Sequence, residues 1–449
     1  MNMKTNILLA LGAFAIQLFT VALGQEVQKK WTLEQCITYA HENNITIKQQ
    51  QLNVEVNKNT LTQKKMNLAP SVNGSSNYNV GFGRSENRVG SVVSIEDNTT
   101  QQFGLSVRAS MPVFEGLSNI NSIRKQNTDL QASILEVEKT KNDMALNITS
   151  MYLQIIFNHE LLAVAQGQYE VTQQQVERTQ KLVDAGSLPY GNLLEIKSQA
   201  AREALNITSQ ENQLIISQLT LAQLLDLEDY STFDVVQPEL AEINQGMMAG
   251  SDAIYQHAVM ALPEIKGKEL QLTSSQYSLQ IAKGSYFPQL SLTGGWGTNV
   301  YKLESDNNFD FNNQFKNNAS TSIGLSLSIP IFNGLATRTN TKNAILGVRN
   351  AEYELYNQKM VLQKEIQQAY ADAVNAMKKY SSASEAVTSY LESFDYTQKK
   401  YDVGLVNSVD YNTAKNDLTR SQSELLQAKY EYILRTKILD FYMGNPIKL

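Results

Sequence analysis

The residues able to carry acid–base, nucleophilic or metal chemistry are few and scattered. His41, His159 and His257 are the only histidines of the 449 residues. No His-Glu-x-x-His and no His pair at helical spacing occurs, so a zinc hydrolase has no local support. Cys36 is the single cysteine, which excludes an intramolecular disulfide and a cysteine metal cluster within one chain. It falls in Trp31-Thr-Leu-Glu-Gln-Cys-Ile-Thr-Tyr-Ala and reads as a small, buried helix residue. There is no G-x-S-x-G elbow and no G-x-x-x-x-G-K-[ST] phosphate loop. Most carboxylates sit within charged helix faces, where pairing with Lys or Arg is their ordinary role. No catalytic constellation and no cofactor or metal site emerges, so the residues point away from an enzyme.

What the sequence carries instead is a duplication. Pro70, Pro112, Phe114, Gly116, Tyr152, Lys181, Asp184 and Gly186 recur 218 positions later as Pro288, Pro330, Phe332, Gly334, Tyr370, Lys399, Asp402 and Gly404. A constant offset requires two copies of one supersecondary plan with no net insertion between these points. Residues 1–24 read as a secretory signal: Lys4, an apolar run from Ile7 to Leu23, and Ala22-Leu23-Gly24 before cleavage. The formal charge of −6 is spread along the chain, and nothing in it suggests nucleic acid. The chain therefore divides into a first repeat over 25–227, a linking segment over 228–250 holding Pro238, and a second repeat over 251–449.

Each repeat mixes two periodicities. From Leu130 through Ile134, Val137, Met144, Ile148, Met151 and Ile155, steps of four and three sustain a heptad pattern. The second copy follows Leu355, Leu362, Ile366, Ala369, Ala373 and Ala376. Long helices are expected over about 116–186 and 334–404, with no internal proline to break them. Two shorter helices are expected to flank each long one, over about Thr32–Leu68 and Asn192–Leu227 in the first repeat and Ser251–Phe287 and Ser408–Met443 in the second.

Between short and long helices the period falls to two. Phe103, Leu105, Val107, Ala109 and Met111 alternate with Gly104, Ser106, Arg108 and Ser110, and Ile323, Leu325, Leu327, Ile329 and Ile331 do likewise. Strands are expected over about 71–84, 101–113, 289–302 and 319–331, with long exposed loops from Arg84 to Thr100 and from Lys302 to Asn318. Pro70 and Pro288 should open the first strand of each pair, and Pro112 and Pro330 should mark strand exits. At about ten residues each, such strands fit a tilted membrane crossing. Four strands cannot close a membrane barrel, whose minimum is about eight, so a membrane role requires oligomerisation, and three chains supply twelve strands. The other reading is a periplasmic coiled-coil scaffold with two soluble hairpins.

The duplicated plan, Tyr-Phe-Pro-Gln-Leu from Tyr286, Ile-Pro-Ile-Phe-Asn-Gly from Ile329 and Lys-Tyr-Asp-Val-Gly from Lys400 resemble the TolC family of outer-membrane efflux ducts over essentially the whole mature chain. The resemblance implies a mainly α fold with a membrane β-barrel. In it a homotrimer builds a 12-stranded barrel, four strands per chain, continued by a long α-helical coiled-coil tunnel across the periplasm. It implies a conduit of a tripartite efflux or type I secretion system, partnered by a periplasmic adaptor, an inner-membrane pump of RND, ABC or MFS type, and outer-membrane lipid. The adaptor is expected at the two helix-hairpin tips, Ala185, Gly186, Ser187 and Leu188, and Val403, Gly404, Leu405 and Val406. A gate is expected at Asp410, whose three copies would ring the axis, with Tyr401 latching inner to outer helices. The family's basic latch residue falls on Val406, its acidic partner in the first repeat on Asn192, and a second acidic ring on Thr413. A differently bonded closure is therefore expected.

Overall fold

The structure, a computed structural model, describes residues 30–89, 91–228, 233–238, 249–304 and 308–449. The signal reading of residues 1–24 and most of the 228–250 linker lie outside them. Nine helices and four strands are found among the described residues. These are α1 Leu33–Asn43, α2 Ile45–Met66, β1 Ser71–Val89, β2 Val92–Glu115, α3 Ser118–Asp184, α4 Tyr190–Leu224, α5 Ser251–Ala261, α6 Pro263–Gly284, β3 Gln289–Leu303, α7 Phe311–Asn317, β4 Ser320–Ser328, α8 Ala336–Asp402 and α9 Ser408–Tyr442. Apart from α7, every helix of the first repeat recurs with both ends shifted by 218 positions. The duplication thus extends beyond the motifs to the helix boundaries.

The chain falls into two compact units. One comprises residues up to 49, 138–262 and 361–449, and among its described residues the secondary structure is helical apart from one bridge. Its core includes Ile148, Tyr152, Ile155 and Ile156 of α3, and Leu362, Ile366, Ala373 and Ala376 of α8, all buried. Ile148, Ile155, Leu362, Ile366, Ala373 and Ala376 lie on the heptad path, where a 3.5-residue repeat keeps one seam facing a partner helix, and Tyr152 and Ile156 lie beside it. Cys36 is also buried there, and burial pushes its thiol up to about 12. At 67 residues each, α3 and α8 are roughly 100 Å long.

Neither N-terminal short helix is continuous. Thr32 and Gln35 form a capping box at the start of α1, and Asn44 ends it. The Asn44 side chain then accepts from Thr46 N at 2.9 Å, starting α2. In the second repeat Leu262 takes an extended conformation, because Pro263 disfavours a helical residue before it and is itself well placed as a first helical residue. Segment 233–238 runs beside Trp31, with a parallel bridge from Trp31 to Val235. Tyr152 Oη donates to the carbonyls of Val236 at 2.6 Å and Trp31 at 3.1 Å. Asp234 accepts from His159 and pairs with Lys30. Burial raises its carboxyl pKa, but the hydrogen bonds from His159, Val235 N and Lys30 outweigh that and hold it well below the usual range.

The second unit, 50–137 and 263–360, holds the one antiparallel sheet found among the described residues, ordered β1-β2-β3-β4. The expected loop from Arg84 to Thr100 is not a loop. β1 and β2 pair without interruption from Ser71↔Ser110 to Val89↔Val92. The β-branched residues Val92, Val93, Ile95, Thr99 and Thr100 are the strand signal in a segment whose Asn and Asp content suggested a turn. In the second repeat the corresponding stretch contains α7, after which β4 is only nine residues long.

Pro70 and Pro288 directly precede β1 and β3. Pro112, however, lies inside β2, paired with Ser291, and a bulge between Pro112 and Phe114 lets the strand continue to Glu115. Pro330 lies two residues beyond the end of β4.

Candidate functional site

Cross-strand partners share a face of a sheet, so the register assigns every strand side chain to one of two sides. One side carries Val72 and Tyr78; Phe103, Leu105, Val107 and Met111; Leu290, Leu292, Trp296 and Val300; and Ile323, Leu325 and Leu327. The other carries Asn73, Ser75 and Asn77; Ser106 and Arg108; Thr293 and Asn299; and Ser322, Ser326 and Ser328. Most of the apolar side is bare in the single chain: Ile323 is 82 % exposed, Leu325 69 % and Val72 66 %. An apolar face of this extent cannot remain in water. Among the described residues, no strand pairs with the outer edges of β1 and β4.

The helical unit supplies the second candidate region. At the end of α3, Ser187 N donates to Leu182 O at 2.8 Å and Gly186 adopts φ +74°. At the end of α8, 218 positions on, Leu405 N donates to Lys400 O at 2.9 Å and Gly404 adopts φ +75°. The 6→1 bond and left-handed glycine make both tips the same helix stop. Ala185, Gly186, Ser187, Val403, Gly404 and Leu405 are exposed, and Leu188 and Val406 half-buried. Val403, Leu405, Tyr190, Leu194 and Val409 leave apolar surface at or beside these turns.

Asp410 is exposed in the first turn of α9, where Asn407 caps the helix by accepting from Asp410 N at 2.9 Å. An acid at that place is favoured by the helix dipole. Tyr401 packs on Tyr411 of α9 with ring centroids 4.8 Å apart, and Phe394 also packs on Tyr411, at 5.5 Å. Burial, then the nearby Tyr401 and Asp402, push the Tyr411 hydroxyl up to about 12. Asn192 is half-buried at the start of α4, with its backbone N donating to Pro189 O. Tyr401 thus joins α8 to α9.

Three cross-links that sequence reasoning missed tie these helices together. Arg178 of α3 pairs with Asp402 of α8. Ser408 Oγ of α9 donates to Glu195 Oε2 of α4 at 2.6 Å. Deepest is Lys415 of α9, whose ammonium donates to Gln168 O of α3 at 2.9 Å, to Thr172 Oγ1, and to Glu203 Oε1 of α4 at 3.0 Å. Burial lowers the Lys415 pKa, and the bond and charge of Glu203 oppose that. The signal was present in the sequence, because Tyr411, Lys415 and Leu418 step by four and three, placing a lysine on a buried stripe.

The family model described as Outer membrane efflux protein matches the chain twice, over residues 36–226 and 254–445. Both matches start 218 positions apart, on the duplication itself. The chain is 23 % identical over 319 residues to Toxin and drug export protein A of Aggregatibacter actinomycetemcomitans, covering 68 % of this chain and 64 % of that protein, just under two thirds. It is 21 % identical over 377 residues to Outer membrane protein TolC of Vibrio cholerae, covering 83 % of this chain and 82 % of that protein. Among solved structures, the Campylobacter jejuni CmeC outer membrane channel superposes with a TM-score of 0.76 at 19 % identity, over 92 % of this chain and 85 % of that one. A bare apolar sheet face, open sheet edges, paired 67-residue helices and a family model that fits each repeat in turn converge: the chain belongs to the outer membrane efflux protein family.

Proposed function

We propose that this protein is the outer-membrane exit duct of a tripartite efflux or type I secretion system. It passively conducts substrates delivered by a periplasmic adaptor and an inner-membrane pump. The observation that carries the reading is the sheet: four antiparallel strands with one apolar face, one Ser/Asn face and two unpaired edges. A membrane barrel must close, because no water is present to satisfy an edge. Three chains joined β4 to β1 give twelve strands with the apolar face toward lipid and the polar face toward a water-filled lumen. The in-chain β2–β3 pairing supports this, since it already joins the second strand of one repeat to the first strand of the next.

The long helices then carry the path into the periplasm. Asp410 forms a threefold acidic ring near the entrance, which favours cations. Tyr401, Tyr411 and the three cross-links hold the helices around it, in place of the basic latch that Val406 lacks. The tips at 185–188 and 403–406 dock the adaptor through the apolar side chains exposed there. The pump, of RND, ABC or MFS type, supplies the driving force, and the duct is not an enzyme. The test is single-channel conductance of the purified protein in a planar bilayer, with oligomer mass measured on the same sample. A trimer with small, cation-preferring openings is expected. A monodisperse protein that never inserts would refute the reading.

A further inference from the structure

Helix α7 has no counterpart in the first repeat, and it stands where β4 stops short. β4 pairs with β3 only over Gln289–Gly297, leaving the β3 residues from Thr298 onward without a strand on that side. Three bonds tie α7 to this stretch. Thr298 Oγ1 donates to Phe315 O at 2.8 Å, Tyr301 N donates to Gln314 Oε1 at 2.8 Å, and Asn318 Nδ2 donates to Asn299 O at 2.6 Å. The helix therefore satisfies strand groups that β4 leaves open.

Its aromatic residues decide which face it lies on. Phe311 and Phe315 stack at 5.8 Å and 19°. Phe311 meets Phe103 at 5.8 Å, and Phe315 meets Trp296 edge-on at 6.5 Å. Phe103 and Trp296 belong to the apolar side of the sheet, and beside them Val300 is only 2 % exposed. Phe311 itself keeps 43 % of its surface open, while Asn312, Asn313, Lys316 and Asn317 are exposed, with Asn317 Nδ2 donating to Asn313 Oδ1. Along β3 the apolar side runs from Leu290 to Val300. Ten residues at about 3.3 Å each, tilted by about 40°, rise about 25 Å along the membrane normal, the height of an outer-membrane apolar band. The aromatic cluster under α7 thus marks the upper limit of that band, and the same face below it is bare.

We infer that α7 is an interfacial helix seated on the lipid-facing side of the barrel, with the outer-leaflet headgroup–acyl boundary as its partner. Phe311 and Phe315 enter that boundary, and the Asn and Lys side chains stay among the headgroups. The aromatic helix joins Tyr78 and Phe82, single exposed aromatics of the same face, in the girdle that usually fixes insertion depth. This rests on the duct reading above, since it needs the apolar sheet face to meet lipid.

The experiment places one tryptophan on α7. In a W31F/W296F background, which removes both native tryptophans, F311W is reconstituted into phosphatidylcholine vesicles carrying lipids brominated at shallow or deep acyl positions. Shallow bromines are expected to quench its emission about twofold more than deep bromines or aqueous iodide. Quenching by iodide with none by either lipid would overturn the inference. In a companion W31F protein, F311S/F315S should uncover Trp296 and raise its quenching by brominated lipid. Unchanged Trp296 quenching would also count against the inference. Conductance is recorded on the same vesicles. A conducting trimer whose α7 tryptophan sees only water sinks this inference alone, whereas failure to insert sinks the duct reading with it.

Discussion

Replacing Lys415 with methionine should loosen α9 far more than any exposed charge substitution. The lysine side chain is 2 % exposed and that of its partner Glu203 13 %. All three ammonium donors are used, on Gln168 O, Thr172 Oγ1 and Glu203 Oε1. Glu203 Oε1 also accepts from Gln199 Nε2 at 2.8 Å. Lys415→Met leaves the Glu203 carboxylate buried without its cation, a change that costs about 3–5 kcal/mol when one partner of a buried pair is removed. At about 1.4 kcal/mol per factor of ten, amide exchange through local opening should accelerate between roughly one hundred and a few thousand fold. The assay is hydrogen exchange by mass spectrometry on α9 peptides spanning 411–422, in the detergent-purified protein. The double variant K415M/E203M removes both charges and should recover most of the protection, because apolar replacement of a whole buried pair is often neutral. Wild-type exchange in K415M, or a double variant as fast as the single, would refute this account of the cross-link.

Other outcomes follow from the entrance and the tips. Asp410→Ala should raise single-channel conductance and weaken cation preference, and the ring assignment fails if both stay at wild-type values. Leu405→Asp puts a charge on an apolar side chain that is 74 % exposed; it should abolish cross-linking to the adaptor while leaving conductance intact. Tyr411 has its hydroxyl raised from 10.0 to about 12. Its contribution to stability is therefore whole below pH 10 and lost as pH climbs through about 12. Tyr411→Phe should flatten that part of the alkaline stability profile, by on the order of 2 kcal/mol, as read from unfolding midpoints across the pH range.

Much of this architecture was legible because its signals are periodic. The 218-residue offset, the heptad path through Ile148 and Ile366, and the alternation from Phe103 to Met111 each repeat often enough to override single residues. What escaped the sequence reading was local or tertiary. Asn44 interrupts a helical pattern by hydrogen-bonding the next helix start with its own side chain, and Pro263 carried a break signal that the longer pattern masked. The strand extension to Val89 and from Val92 was hidden by Asn and Asp residues that usually mark turns. At Pro112 the bulge supplied by the pairing with β3 kept a strand going past a residue without an N–H. The Lys415 cross-link depends on three helices meeting, and the sequence shows only the anomaly of a lysine on an apolar stripe.

The turn from β2 into α3 has a consequence for how a ring of such chains can deform. A Cβ at Gly116, which holds φ +59°, would lie 2.2 Å from Gly284 O, and one at Gly284 would lie 2.1 Å from Ser118 Oγ. The joint between the two repeats of a chain is thus closed glycine on glycine, with no slack for a side chain. In the proposed trimer the equivalent joint between chains would set Gly334 against the end of α2 in the next chain, and the residue 218 positions before Gly284 is Met66. A flexible thioether would take the place of bare backbone there, and neighbouring repeats would not approach as closely. The ring would then have threefold rather than sixfold mechanics, three rigid joints alternating with three compliant ones. Any dilation of the barrel base would be concentrated where one chain meets the next.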